Sequence, residues 1–305
     1  MTDKLLQRII DIIGEDSVYK KELMKNHTTF RVGGPADYFL VPKSEEEAVA
    51  LLRLFCSEND EPFFVLGRGS NLLVSDEGYR GSIISLDSAF SEIRVDGTSI
   101  YACAGAPLIK IAATALSNGL SGMEFASGIP GTLGGGVTMN AGAYGGELKD
   151  IVESVRLFDK ETCEVVEKSC PEMDFSYRHS IVSLGRYVVL SAKINLTYSD
   201  KALIKQTMDE LKEKRVSKQP LEYSSAGSTF KRPEGYFAGK LIEDCGLRGY
   251  RVGDAQVSEK HCGFVINRGN ADASEILTLI KDVQNKVYDT FNVKLETEVC
   301  MLGFD

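Results

Sequence analysis

Residues 127–146 read SGIPGTLGGGVTMNAGAYGG, and residues 65–74 read VLGRGSNLLV. Eight glycines in the twenty residues of the longer stretch are costly in backbone entropy unless close approach to a ligand or to another chain segment requires them. The shorter stretch sets Gly67, Gly69, Ser70 and Asn71 between two β-rich runs, where positive φ leaves successive N–H groups free to point at an anion such as a pyrophosphate. A β-branched residue at Gly69 is then expected to block the anion more than it harms the fold. Two plainer readings compete: a tight hairpin at 65–74, and a glycine-lined packing crossover at 127–146. Neither stretch is a dinucleotide fingerprint, because Leu72 and Met139 stand where the third glycine belongs. Gly239-Lys240 is no phosphate loop either, having Glu234 at the motif's first glycine and Leu241 after the lysine.

Outward from the loops, MTDKLLQRIIDIIGED reads as an amphipathic helix, and Ser44 with Glu47 as a capping box for a helix over EEEAVALLRLFCSEN. Short strands are expected at FFVLG, SIISL, SIYAC, VESVRLF and YVVLSAKINL, with one helix near PLIKIAATALSNG. KALIKQTMDELKEKRVSK links to a last third with helices at YFAGKLIEDC and ASEILTLIKDVQNKVYDTF and a strand near GFVIN. The elements do not alternate strictly as strand and helix, so the fold class is α+β and a doubly wound sheet is disfavoured. The expected division is 1–62, 63–198 and 199–305.

The net charge of −9, with basic residues scattered among acidic ones, argues against a nucleic-acid surface. No apolar run approaches the roughly 18 residues that span a bilayer, and the first helix has no cleavage signal, so a soluble, cytoplasmic protein is expected. Seven cysteines without a C-x-x-C pair suit neither a disulfide framework nor a zinc site. His27, His179 and His261 lack metal or triad spacing.

Seven blocks in order, NHTTFRVGGPADYF, VLGRGSNLLVSDEGYRG, GIPGTLGGGVTMNAGAYGGE, FSYRHS, AGSTFKRP, AGKLIEDCGLRG and LETEV, give the chain its resemblance to the UDP-N-acetylenolpyruvoylglucosamine reductases of bacterial cell-wall synthesis. The short spacing around YRHS resembles their compact subgroup. The resemblance implies a vanillyl-alcohol-oxidase-type (PCMH-type) FAD-binding fold with an additional C-terminal α+β substrate-binding domain. Residues 1–62 and 63–198 would be two FAD-binding subdomains with FAD between them, and 199–305 would close over the substrate. RGSN offers no histidine for a tether, so noncovalent FAD is implied. Its contacts would come from Gly67, Arg68, Gly69, Ser70, Asn71 and Leu72 in one loop, and from Gly128, Ile129, Gly131, Gly134, Gly135, Asn140, Ala141 and Gly145 in the other.

The implied reaction takes a hydride from NADPH through flavin to an enolpyruvyl double bond. The protein must then orient the alkene, spread negative charge and supply one proton. The resemblance assigns these tasks to Arg178, Ser228 and Glu298. A guanidinium offers a planar fork to a carboxylate, although a surface ion pair is the commoner fate of an arginine. In LETEV a strand pattern alternates Glu296 and Glu298 with Leu295, Thr297 and Val299. Beside a substrate carboxylate, Glu298 would be driven towards its protonated, donating form; a solvated charged face is the plain alternative. Ser228 would be the proton donor, brought close by Gly227, unless it is simply a turn serine. Tyr177, Lys218 and Arg232 would contact the nucleotide sugar, Arg232 standing where other subgroup members carry asparagine. A flavin oxidase of the same fold predicts a histidine in the first loop and a different last third, and a vestigial sugar-nucleotide sensor predicts loss of the three candidate catalytic residues.

Overall fold

The strands on either side of the first glycine loop enter different sheets in the computed structural model, which describes residues 1–58 and 61–304. Strand Phe63–Leu66 pairs in parallel with Tyr79–Ser85, whereas Leu72–Val74 pairs in parallel with Cys300–Leu302. Residues 65–74 are therefore not a hairpin. The chain gathers into two units of three stretches each, Met1–Lys20, Tyr38–Gly67 and Gly81–Glu213 in the first, Lys21–Asp37, Arg68–Arg80 and Lys214–Asp305 in the second. Seven α-helices occur among the described residues: α1 (Asp3–Ile13), α2 (Glu45–Ser57), α3 (Leu108–Ser117), α4 (Leu133–Thr138), α5 (Lys201–Lys218), α6 (Ala238–Asp244) and α7 (Ala273–Phe291).

The first unit is centred on a five-stranded antiparallel sheet in the order Glu164–Ser169, Val152–Asp159, Tyr187–Asn195, Ser99–Cys103, Ile93–Asp96. Along Val152–Asp159 the period-two alternation buries Val155 and Leu157 and exposes Arg156. In α1, Leu5, Ile9 and Ile13 recur every four residues on the buried stripe, and each side chain so buried contributes about 1.5–3 kcal/mol. At α2 the Ser44 hydroxyl accepts from the Glu47 N–H, but the Glu47 carboxylate reaches back to the N–H of Lys43 rather than to that of Ser44. The cap is thus one residue wider than the expected box. α2 is helical to Ser57, and the expected end at Asn59 lies outside the described residues.

In the second unit α6 and α7 share a core with the antiparallel sheet Arg251–Val252, Ala255–Val257, Val265–Asn267. The buried stripe of α7 is Ile276, Leu279, Ile280, Val283 and Val287, close to a 3.6-residue period. Two carboxylates serve its first turn: Asp272 accepts from the Glu275 N–H, and Asp76 accepts from the N–H groups of Ala273 and Ser274. Orphan donors and the helix dipole are satisfied together. LETEV, expected as a strand, is instead an extended segment with one bridge, Thr297 to Phe230. The pairing cannot spread, because Gly227 at φ +77° turns the partner away on one side and Pro233 lacks an N–H on the other.

Candidate active site

In the first loop Gly69 adopts φ +58°, and a Cβ there would lie 2.1 Å from the His27 carbonyl oxygen. The chain's own backbone therefore demands glycine, and the expectation that a β-branched residue at Gly69 would spare the fold is corrected: its clash is with protein first. Gly67 lies outside the left-handed region, but a Cβ would come 2.4 Å from Thr132 Oγ1. Arg68 is exposed, Ser70 half-buried and Leu72 buried in the strand paired with Cys300. The Asn71 amide donates to the carbonyl of Glu298 at 3.0 Å, and its carbonyl accepts from the Cys300 N–H at 3.1 Å.

The second loop divides its glycines between several duties. The N–H groups opening α4 are committed, Leu133 to the Ala106 carbonyl, Gly134 to that of Ala104 and Gly135 to the Thr132 hydroxyl. A Cβ at Gly134, Gly136, Gly142 or Gly146 would press on Ala104, Leu148, Glu147 or Phe125. These four answer packing, as the crossover reading holds. Tyr144 and Gly145, at φ +53° and +93°, form the two-residue turn joining Gly142–Ala143 to Gly146–Glu147, which explains a glycine at 145. Gly128 ends a short 3-10 turn from Glu124, Ile129 donates to the Ala126 carbonyl, and the Gly131 carbonyl accepts from Leu108. Gly135 is exposed with only Thr132 Oγ1, at 3.7 Å, near its added Cβ, so it keeps room for a ligand. Ala141 is buried. Asn140 is fully buried at φ +45°; its amide donates to Glu147 Oε2 (2.6 Å) and the Ser176 carbonyl (3.1 Å), and accepts from the Lys149 N–H (3.0 Å). The left-handed Gly69 in the second unit and the open Gly135 in the first each permit the close backbone approach that the pyrophosphate of a dinucleotide flavin needs.

Arg178 stands at the second centre of a two-residue turn closed by reciprocal backbone bonds of 3.2 Å between Ser176 and His179. Its φ of +55° costs a non-glycine residue about 1–2 kcal/mol, the sort of local strain that gathers at functional sites. The guanidinium lies 5.2 Å from the centre of the exposed Tyr177 ring. Neither the turn nor its strain has a signature in FSYRHS.

In the second unit, Ser228 is half-buried between the left-handed Gly227 and the fully buried Thr229. Thr229, which sequence reading passed over, organises this corner. Its N–H donates to the Gly263 carbonyl, its hydroxyl accepts from the Val265 N–H and its carbonyl accepts from the Glu298 N–H at 2.9 Å. Glu298, half-buried, is thereby fixed through its N–H by Thr229 and through its carbonyl by Asn71. Lys218 is exposed at the end of α5, close enough that its charge, with that of Arg248, adds to burial in holding the His261 imidazole below its usual pKa, against a backbone hydrogen bond that raises it. Arg232 is exposed, bonds the Tyr236 carbonyl through Nε and lies 4.0 Å from the centre of the exposed Phe237 ring. Among the described residues there is no cluster of metal ligands, and no helix is long and apolar enough to cross a membrane.

Loops and sheets of this kind suit a flavin-dependent oxidoreductase with an added C-terminal α+β domain. Residues 36–169 match the model of an FAD binding domain, and residues 219–302 that of the UDP-N-acetylenolpyruvoylglucosamine reductase C-terminal domain. The reductases of that name from Agathobacter rectalis and Caldanaerobacter subterraneus are 52% and 50% identical to this chain, each comparison covering 99% of both proteins. The crystal structure of the corresponding reductase from Thermus caldophilus superposes with a TM-score of 0.80 at 36% identity, over 92% of this chain and 97% of that one. The chain belongs to the UDP-N-acetylenolpyruvoylglucosamine reductase family, and its cofactor is FAD.

Proposed function

We propose that this protein reduces UDP-N-acetylglucosamine enolpyruvate to UDP-N-acetylmuramate, with NADPH as hydride donor, in peptidoglycan precursor synthesis in the cytoplasm. The observation that carries the site assignment is the hydrogen bond from Glu298 N–H to the Thr229 carbonyl, which keeps the segments bearing Ser228 and Glu298 together. Bound FAD supplies the hydride that reaches the alkene.

Arg178 holds the substrate carboxylate with its planar fork and takes up the negative charge that develops on it. Ser228 Oγ gives its proton to the carbanionic carbon and is reprotonated from a neighbour or water. Glu298 donates a hydrogen bond to the enolate. Tyr177, Lys218 and Arg232 contact the nucleotide sugar, residues 199–305 form its binding domain, and 1–62 and 63–198 are the FAD-binding stretches. FAD would be held noncovalently by Gly67, Arg68, Gly69, Ser70, Asn71 and Leu72, and by Gly128, Ile129, Gly131, Gly134, Gly135, Ala141 and Gly145, whereas the Asn140 amide, expected among these contacts, is spent within the fold. Because the first N–H groups of α4 are committed within the fold, the pyrophosphate draws mainly on the 67–71 loop.

Ser228→Ala tests the proposal. In stopped-flow, NADPH should bleach the variant flavin at close to the wild-type rate, whereas reoxidation by the enolpyruvyl substrate should slow by roughly three orders of magnitude. Wild-type reoxidation would assign the proton to another group, and failure of both halves would make Ser228 a prop of the flavin site. Ser228→Cys should recover part of the lost rate.

A further inference from the structure

We infer that Asn140 is a positioning residue for Arg178, holding the turn that carries the guanidinium. This rests on the reading of Arg178 as the carboxylate clamp. The four-residue turn from Ser176 to His179 is short, strained at Arg178 and followed by a serine. Both of its ends are tied to the three residues Thr138–Asn140 that complete and follow α4. The Asn140 amide donates to the Ser176 carbonyl at 3.1 Å, and the buried Ser180 hydroxyl donates to the Thr138 carbonyl at 2.9 Å.

Three features make Asn140 the controlling member. Its side chain is fully buried, and both amide hydrogens are used, on Ser176 and on Glu147. With Lys149 N–H on its oxygen, the amide has one orientation and no hydrogen left for a flavin. Glu147 is itself fixed, by a capping box with Asp150 and by Lys149 Nζ at 3.3 Å, so the 2.6 Å bond from Asn140 ends on an anchored carboxylate. The backbone of Asn140 is left-handed, which asparagine tolerates better than most residues and which aims the side chain at the turn. A displaced turn would leave Arg178 charged but misplaced, and a shift of about 1 Å in an orienting group can cost on the order of a hundredfold in rate.

The test is a double-mutant cycle on the holoenzyme between Asn140→Ala and Arg178→Ala, read separately as FAD affinity, flavin bleaching by NADPH and reoxidation by the enolpyruvyl substrate. Asn140→Ala should leave FAD affinity and bleaching within about threefold and slow reoxidation by roughly ten- to a hundredfold. In the Arg178→Ala background the same substitution should change reoxidation by less than about twofold, because the group it positions is gone. Equal losses in both backgrounds, or a loss confined to FAD binding, would overturn the inference. Wild-type reoxidation in Arg178→Ala alone would instead refute the clamp reading. If Asn140→Ala does not fold, Ser180→Ala cuts the other tie and enters the same cycle, where additivity again overturns the inference.

Discussion

Gly67 offers a measurement of how closely the two glycine loops are fitted within the first unit. Its backbone would accept any residue, so the obstacle to Gly67→Ala is Thr132, whose Oγ1 would stand 2.4 Å from the new methyl group, with Cγ2 at 3.3 Å and Cβ at 3.4 Å. Thr132 is buried, bridges Pro107 and caps α4. It must either rotate and give up the cap, about 1 kcal/mol, or push the loops apart, about 1–3 kcal/mol of overpacking. Gly67→Ala should therefore cost about 1–3 kcal/mol. Thr132→Ala alone loses the cap and a buried methyl group, about 2 kcal/mol. In the double variant only the 3.4 Å Cβ contact is left, so its cost should match that of Thr132→Ala, a favourable coupling equal to the whole cost of Gly67→Ala, about 1–3 kcal/mol. The chain has no tryptophan, so urea unfolding is best followed by far-ultraviolet circular dichroism, with FAD titration of each apoprotein beside it. Additive losses, or a single variant as stable as wild type, would refute the fit.

Arg178→Lys keeps the charge but not the fork, so substrate reduction should fall by roughly two orders of magnitude with flavin bleaching nearly normal, and wild-type turnover would remove Arg178 from the clamp. Acid precipitation of the holoprotein should leave the yellow colour in the supernatant; colour in the pellet would show a covalent flavin. The Arg186 guanidinium, 2.5 and 2.9 Å from the buried Asp159 carboxylate, holds that carboxyl below the usual range. Its stabilisation is present above the unfolded carboxylate pKa of about 3.9 and is lost as pH falls through the lower folded value, so Asp159→Asn should flatten the acid limb of a stability-versus-pH curve. An unchanged limb would exclude this pair as its source.

Elements with a dense local pattern are legible in the sequence. The run ASEILTLIKDVQNKVYDTF is helical over its whole length, because five apolar residues at helical spacing leave one solution. Its cap was half legible: Asp272 adjoins it, but Asp76 reaches it from far away in sequence. The same limit ran through the candidate site. Glycine-rich stretches marked where close approach occurs, yet could not separate Gly146, pressed against Phe125, from Gly135, which is open. Nothing local in the sequence reveals that the Asn71 and Asn140 amides reach Glu298 and Ser176. The left-handed backbone of Arg178 was hidden because any residue can be forced there by its surroundings. LETEV alternates like a strand but lacks a partner long enough to make one.

The parallel pairing of Leu72–Val74 with Cys300–Leu302 has a consequence for the order of events during synthesis. The five-stranded sheet draws only on residues 93–195 and can close while the chain is still being made. The first glycine loop cannot settle so early. Asn71 waits for Glu298 and Cys300, and Asp76 waits for the start of α7. Tight capture of flavin should therefore be among the last steps after release from the ribosome, and a prematurely terminated product would keep a well-folded sheet yet stay colourless.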